Sequence, residues 1–242
     1  MKDIFDSWLI NKYIAHRGLH SEDAPENSLL AFERAIKNDY AIELDIREIE
    51  DSTPVVFHDT KISRMTGKDG YTNNLKLEDL KNLKLMGTKE NIPTLEEALK
   101  FINGRTPILI EIKNNFKAGT MEKQILDLLN NYKGEFAITS FNPYVMNWFK
   151  HKAPNFVRGQ NSSYFKGYSI SPMKKLLLKR LRLNNLSEPH FISYDARNLP
   201  NRFVKKYRHL PLLTWTVRSH EEHLRLIKHA DNIIFEDFKP KI

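Results

Sequence analysis

The chain has 242 residues, 40% of them hydrophobic and 28% charged, so it is long enough to bury a sizeable core and reads as neither a membrane bundle nor a disordered tail. It has no cysteine, which excludes disulfide frameworks, thiolate zinc sites and cysteine nucleophiles. The formal net charge of +8 directs attention to anionic partners: nucleic acid, an anionic membrane face or a phosphorylated substrate.

Strand and helix patterns alternate along the whole length. A short apolar strand over 13–16 ends in His16-Arg17-Gly18. A helix follows over 27–38, with Pro25-Glu26-Asn27 as its start signal and Asn27 able to cap it. Strands are expected over 41–46 and 55–58, joined by a segment too short and polar for a crossover helix. Residues 59–92 read as loop, broken by Gly67, Gly70 and Asn73-Asn74, with a short helix over 75–85. Thr94 and Glu97 have capping-box spacing at the start of a helix that runs to Ile102.

Further strands are expected over 107–112, 135–140, 155–158, 190–194, 212–217 and 232–235. Helices are expected over 120–132, 143–150, 172–183, 199–207 and 220–229. This alternation argues for an α/β fold with a parallel sheet and outer helices. The strands number nine, one more than a closed eight-stranded barrel needs, so one is an addition or a misreading. No repeat or linker divides residues 1–242, which read as one domain with an insertion at about 59–92. The N-terminal stretch lacks the apolar core of a signal peptide, and nowhere are there the roughly 20 apolar residues of a transmembrane helix. With no cysteine, that predicts a reducing cytoplasm.

Polar residues gather at the strand ends. His16 can move protons near neutral pH, and Arg17 beside it can clamp a phosphate or carboxylate. Glu43 and Asp45, two apart on one strand, share a face. Either that face is wet, or a hard divalent cation compensates the two carboxylates. His58-Asp59 ends another strand, as a turn histidine or as the partner of His16 in an acid–base pair. Glu111 and Lys113 repeat the two-residue step; Glu111 would complete three carboxylates for one metal, and Lys113 would offer a point charge to phosphate. Trp215 lies in an apolar strand, as core or as a wall for an alkyl or glycerol group.

These residues sit in IAHRG (14–18), PENSLLAF (25–32), IELD (42–45), VVFHD (55–59), IPTLEEAL (92–99), ILIEIK (108–113), TSFNP (139–143) and WTV (215–217), with Arg64, Thr66 and Gly70 between. In that order they resemble the glycerophosphodiester phosphodiesterase family. The resemblance implies a distorted (β/α)8 TIM barrel with a small insertion after the early strands. It implies metal-dependent hydrolysis of glycerophosphodiesters, small-molecule substrates, to sn-glycerol 3-phosphate and an alcohol. Glu43, Asp45 and Glu111 then look like ligands of Ca²⁺ or Mg²⁺, and His16 and His58 like general acid and base. Arg17 and Lys113 look like phosphate contacts, Phe141 and Trp215 like walls near the leaving alcohol, and Glu26 and Asp59 like supports behind them. The chain departs from the family pattern at Arg218, after WTV, and at Phe235-Glu236, where many members have Thr-Asp.

Two other readings use the same centre: a lysophospholipase D-type phosphodiesterase, and a non-catalytic phosphate- or lipid-binding barrel, which would have lost a histidine or a carboxylate. Nucleic-acid binding is suggested by charge alone and has no motif, so no nucleic-acid partner is expected. The basic stretch 173–186 puts Met173, Leu176, Leu177 and Leu181 near one face of a helical wheel, interrupted by Arg180. It reads as the solvated face of an outer helix or as a weak peripheral dock on anionic membrane.

Overall fold

The computed structural model describes residues 4–114 and 117–240. In chain order its helices and strands are α1 (Trp8–Asn11), β1 (Ile14–Ala15), α2 (Leu29–Lys37), β2 (Ala41–Glu48), β3 (Pro54–Val56), α3 (Ser63–Thr66) and α4 (Leu95–Ile102). Then come β4 (Ile108–Ile112), α5 (Thr120–Asn131), β5 (Phe136–Ser140), α6 (Pro143–Lys152), β6 (Arg158–Ser162), α7 (Pro172–Lys179), α8 (Asn184–Ser187), β7 (Phe191–Asp195), β8 (Leu212–Val217), α9 (His220–Leu226) and β9 (Asn232–Phe235). The order is that of the expected distorted (β/α)8 barrel, and β3 is the strand beyond eight. Among the described residues no helix is long and apolar enough to cross a membrane.

The chain forms two compact units, 15–136 and 1–14 with 137–242. In the first, β2 runs parallel to β4, pairing Ile42 with Ile108 and Asp45 with Glu111. On its other side β2 pairs antiparallel with β3, Ile46 opposite Val56. The turn between them carries Ser52 at φ 66° and is closed by Ile49 N–H to the Thr53 carbonyl. The segment that follows is irregular rather than helical over 75–85, where three-residue-per-turn helices alternate with bends. It still packs: Ile62, Met65, Leu75, Leu80, Leu83, Leu85 and Ile92 bury themselves with Ile49, Val55 and Phe57. Asn91 Nδ2 substitutes for helical bonding by donating to the carbonyls of Leu80, Lys81 and Leu83.

The helix starts follow their sequence signals with one change. Thr94 and Glu97 form the expected capping box of α4. Ser28, not Asn27, caps α2, its hydroxyl accepting from Ala31 N–H. Asn27 sits one residue outside the helix in the left-handed region, at φ 59°, and is free for another partner. Gly18 is fixed by α2, because a Cβ there would lie 2.9 Å from the Ala31 backbone and φ is +80°.

In the second unit β5 to β9 lie side by side and parallel, with an irregularity between Thr214 and Val217. The strand expected over 155–158 is instead β6, Arg-Gly-Gln-Asn-Ser, fully buried despite its polarity. Most of its side chains bond internally: Asn161 accepts from Thr139 Oγ1 at 2.7 Å, and Gln160 and Ser162 donate to the carbonyls of Ser140 and Leu178, while Arg158 Nε and Gln160 Oε1 are buried without a partner. Gly159 leaves room for the Phe191 ring, 2.2 Å from where a Cβ would stand. Asn232 Nδ2 donates to the carbonyls of Leu9 and Lys12 and so anchors α1.

Three helices are shorter than expected; α9 stops at Leu226 rather than at 229. α7 stops at Lys179, because Leu181 turns into the left-handed region at φ 56°. Within 199–207 only a single tight turn, Val204–Tyr207, is helical.

Candidate active site

Residues 15–136 bring together nine of the eleven site residues expected from sequence. Glu43 and Asp45 come from β2, and Glu111 from the neighbouring strand in register with Asp45. Glu43 and Asp45 are 3% and 1% exposed, which disposes of the wet-face reading. The three carboxylates can bring one oxygen each within 4.8 Å of one another.

Two cations hold this cluster. Lys113 follows β4 and leans back along the same face, its Nζ 2.6 Å from Glu111 Oε1 and 3.1 Å from Asp45 Oδ1. The second contact has ion-pair distance without hydrogen-bond alignment, so Asp45 Oδ1 stays buried without a donor. Arg17 reaches the other oxygen: its Nε lies 3.1 Å from Asp45 Oδ2, its Nη1 donates to Glu26 at 2.7 Å, and its backbone N–H donates to Glu43 at 2.9 Å. That third bond is made with Arg17 at φ 57°, a left-handed conformation that costs an L-residue about 1–2 kcal/mol.

The electrostatics divide the carboxylates. Burial, then Asp45 and Glu111, push the Glu43 carboxyl well above its ordinary range. Burial acts on Asp45 too, but Lys113 and Arg17 outweigh it and hold that carboxyl well below its ordinary range. Burial would neutralise Lys113, yet Asp45 and Glu111 keep its ammonium charged. Glu43 is thus the carboxylate for which the protein supplies too little positive charge. Three carboxylates, two of them buried and one with an oxygen, Asp45 Oδ1, that lacks a hydrogen-bond donor, fit a hard divalent cation.

The histidines flank Glu43 and Asp45 in sequence. His16 directly follows β1, and both His16 and His58 act electrostatically on Asp45. His58 lies two residues past β3, its Nδ1 2.6 Å from Asp59 Oδ1. Burial would raise Asp59, but hydrogen bonds from His58 and Arg64 hold it well below the ordinary carboxylate range. Asp59 is therefore an anion that accepts, and His58 carries the proton on Nδ1.

Three further residues complete the arrangement, none of them given a place in it from sequence. Arg64 donates to Asp59 Oδ2 at 2.6 Å and to both oxygens of Glu26, which links Arg17 to His58 through one chain of ion pairs. Asn27 is 2% exposed; its Nδ2 donates to Asp45 Oδ2 at 3.0 Å while its Oδ1 accepts from Asp45 N–H at 3.2 Å. Arg47 Nε donates to the His58 carbonyl at 2.6 Å. The signal for Asn27 was its place next to Glu26, and for Arg64 its place among the motif residues, which assigned it no partner; for Arg47 a lone arginine at a strand end carries none.

The other two expected residues, Phe141 and Trp215, meet in the second unit. Their rings pack edge-on with centroids 5.4 Å apart, and Phe165 packs on Phe141 at 5.9 Å. The Trp215 indole N–H is buried without an acceptor. The two departures from the family pattern turn out to be one feature, since Arg218 Nη2 lies 2.6 Å from Glu236 Oε1.

The glycerophosphoryl diester phosphodiesterase family matches the chain over residues 16–239. A glycerophosphodiester phosphodiesterase of Caldanaerobacter subterraneus subsp. tengcongensis is 32% identical, covering 93% of each chain. Among solved structures, an Oleispira antarctica phosphodiesterase in complex with the product sn-glycerol-3-phosphate superposes with a TM-score of 0.78 at 26% identity, over 95% of this chain and 94% of that one. A glycerophosphodiester phosphodiesterase of Thermotoga maritima superposes with a TM-score of 0.72 at 22% identity, over 92% and 93%.

Proposed function

The chain belongs to the glycerophosphoryl diester phosphodiesterase family and is a phosphodiesterase, and from that premise we propose that it hydrolyses glycerophosphodiesters to sn-glycerol 3-phosphate and an alcohol, with a divalent cation and two histidines. The observation that carries this reading is the cluster of Glu43, Asp45 and Glu111 with Lys113 and Arg17 around it. The product is suggested by the ligand of the Oleispira relative.

Glu43, Asp45 and Glu111 would hold Ca²⁺ or Mg²⁺, whose chemistry is to draw charge from a non-bridging phosphoryl oxygen. Arg17 and Lys113 are the groups suited to the remaining phosphate oxygens, one as a fork and one as a point charge. Arg17 can serve only while Glu26 and Asp45 fix its guanidinium, and Arg64 fixes Glu26 in turn. One histidine takes the proton of the attacking hydroxyl as the new P–O bond forms, and the other donates a proton to the leaving alkoxide as the old one breaks. Asp59 orients the His58 ring for its share. We read 1–242 as one domain with 59–92 as its insertion, working in the cytoplasm.

The test is hydrolysis of glycerophosphocholine with and without chelator, read as sn-glycerol 3-phosphate formed. Turnover lost in chelator and restored by Mg²⁺ or Ca²⁺ is expected. Undiminished turnover in chelator refutes the metal reading.

A further inference from the structure

The chain's whole excess charge lies in one segment. Residues 172–210 hold ten Lys and Arg against two acids, and in the rest of the sequence 28 basic and 28 acidic residues balance. Neither of those two acids is spare: Asp195 pairs with Arg197, and Glu188 with Lys150.

Within this segment the end of α7 and the turn at 204–207 border a cleft of about 320 Å³, lined by Arg180, Arg182, Arg202, Phe203, Lys206 and Tyr207. The Leu181 turn contributes Arg180 and Arg182; the turn at 204–207 contributes Lys206 and Tyr207. Tyr207 ties the two together by donating its hydroxyl to the Leu181 carbonyl at 2.8 Å. Asn201 shapes the second rim, its Oδ1 accepting from Phe203 and Val204 N–H. Arg180 and Arg202 are both held against the Phe203 ring, their guanidinium carbons 5.8 and 5.5 Å from its centroid. Among the described residues no carboxylate lies within ion-pair distance of Arg180, Arg182, Arg202 or Lys206. Arg180 Nε is buried with no acceptor.

Four cations lining one cleft, two of them on one aromatic ring, repel one another, and a folded chain that keeps them together without a carboxylate leaves the counter-charge to a ligand. We propose that this cleft is an anion site, separate in sequence from the carboxylate cluster, that takes a phosphate group. Guanidinium forks match phosphate oxygens in pairs, and the lysine adds a mobile charge. The volume is at the lower end for small-ligand pockets, enough for a phosphorylated headgroup. The group can come from an anionic lipid or from a free phosphorylated molecule. The proposal stands without the catalytic reading, since none of these residues serves it.

The test compares two full-length variants of equal charge change. Arg202→Glu with Lys206→Glu reverses charge inside the cleft; Lys174→Glu with Lys175→Glu reverses it on α7, outside. Inorganic phosphate is titrated while the arginine Nε–H signals are followed by NMR, the Arg180 signal being identified by its loss in Arg180→Lys. Phosphate is expected to shift the Arg180 signal saturably. Its affinity there should fall at least about tenfold in the cleft variant and stay near wild type in the α7 variant, as for loss of one charge-assisted contact. Glycerophosphocholine turnover should be unchanged in both. Co-sedimentation with phosphatidic acid vesicles, against phosphatidylcholine vesicles, then names the source: pelleting lost in the cleft variant alone supports a lipid, and phosphate binding without pelleting supports a free ligand. An unmoved Arg180 signal overturns the proposal. So does equal loss in the two variants, which would leave a diffuse field, or saturable binding of a single-stranded oligonucleotide with phosphate inert.

Discussion

Arg64 grips Glu26 from 38 positions away, Nη1 to Oε2 at 2.9 Å and Nη2 to Oε1 at 2.7 Å. The pair matters because each partner has a second one: Glu26 holds Arg17, and Arg64 holds Asp59. Burial would raise Glu26, but hydrogen bonding from Arg64 and the charge of Arg17 keep it ionised. A half-exposed arginine making a lone surface pair would be worth under about 1 kcal/mol. Its effect here is on position.

Arg64→Ala is accordingly expected to lower kcat about tenfold or more with a smaller change in KM, because Arg17 and the His58–Asp59 pair both lose a brace. Arg64→Lys keeps the charge but not the fork and should recover part of the loss. Steady-state kinetics with a melting curve for each variant decides it. Wild-type kcat in Arg64→Ala would reduce the residue to a surface pair.

His16→Ala and His58→Ala are each expected to lower kcat by about 10²–10⁴, the range for acid–base help. Asp59→Asn should cost less than His58→Ala, because it disturbs the ring's orientation and tautomer and leaves the ring in place. The check is kcat on glycerophosphocholine at saturating metal. A histidine whose alanine variant keeps wild-type turnover has only a structural role.

Much of this was legible from sequence, for local reasons. The carboxylates and histidines stand at strand ends, where a two-residue step fixes the face, and Thr94 with Glu97 caps α4 through neighbours only. β6 escaped because its burial depends on Thr139, Ser140 and Leu178 satisfying polar side chains from other elements. α7 was drawn too long because helical periodicity says nothing of a single left-handed residue such as Leu181. Asn27 was read as a cap, a local role, while its true partner is Asp45, 18 residues away. Arg64 stands among the motif residues, but its partners, like those of Arg47, are visible only once the chain is folded.

Stability should fall on mild acidification through His190. Its Nδ1 accepts a hydrogen bond from Arg158 N–H at 3.0 Å, which needs the neutral ring. Burial, with the charge of Arg158, lowers its pKa from the usual histidine value. A lowered folded value means the unfolded chain binds the proton first. The contribution is therefore whole above pH ~6.5 and is lost as pH drops through the folded value. Melting temperatures from pH 8 down to pH 5 should decline in wild type more than in His190→Gln. Parallel curves would remove His190 as the cause.

Lys113→Met tests the charge balance of the carboxylate cluster directly. In the wild type the ammonium sits on Glu111 and Asp45, and removing one partner of a buried pair costs about 3–5 kcal/mol. The variant is left with Glu43, Asp45 and Glu111 together, opposed at contact distance by Arg17 and at longer range by Arg47, and should melt well below wild type in chelator. A divalent cation replaces the missing charge. Mg²⁺ or Ca²⁺ should therefore raise the melting temperature of Lys113→Met by more than that of wild type, since a ligand stabilises in proportion to how strongly it prefers the folded state. Glu43→Gln removes a ligand and should weaken the metal-induced rise in either background. Lys100→Met, which breaks an exposed pair with Glu96, serves as the control and should show neither effect. Equal metal-induced rises in Lys113→Met and wild type would mean that the cation binds elsewhere, and the three carboxylates would lose their proposed role.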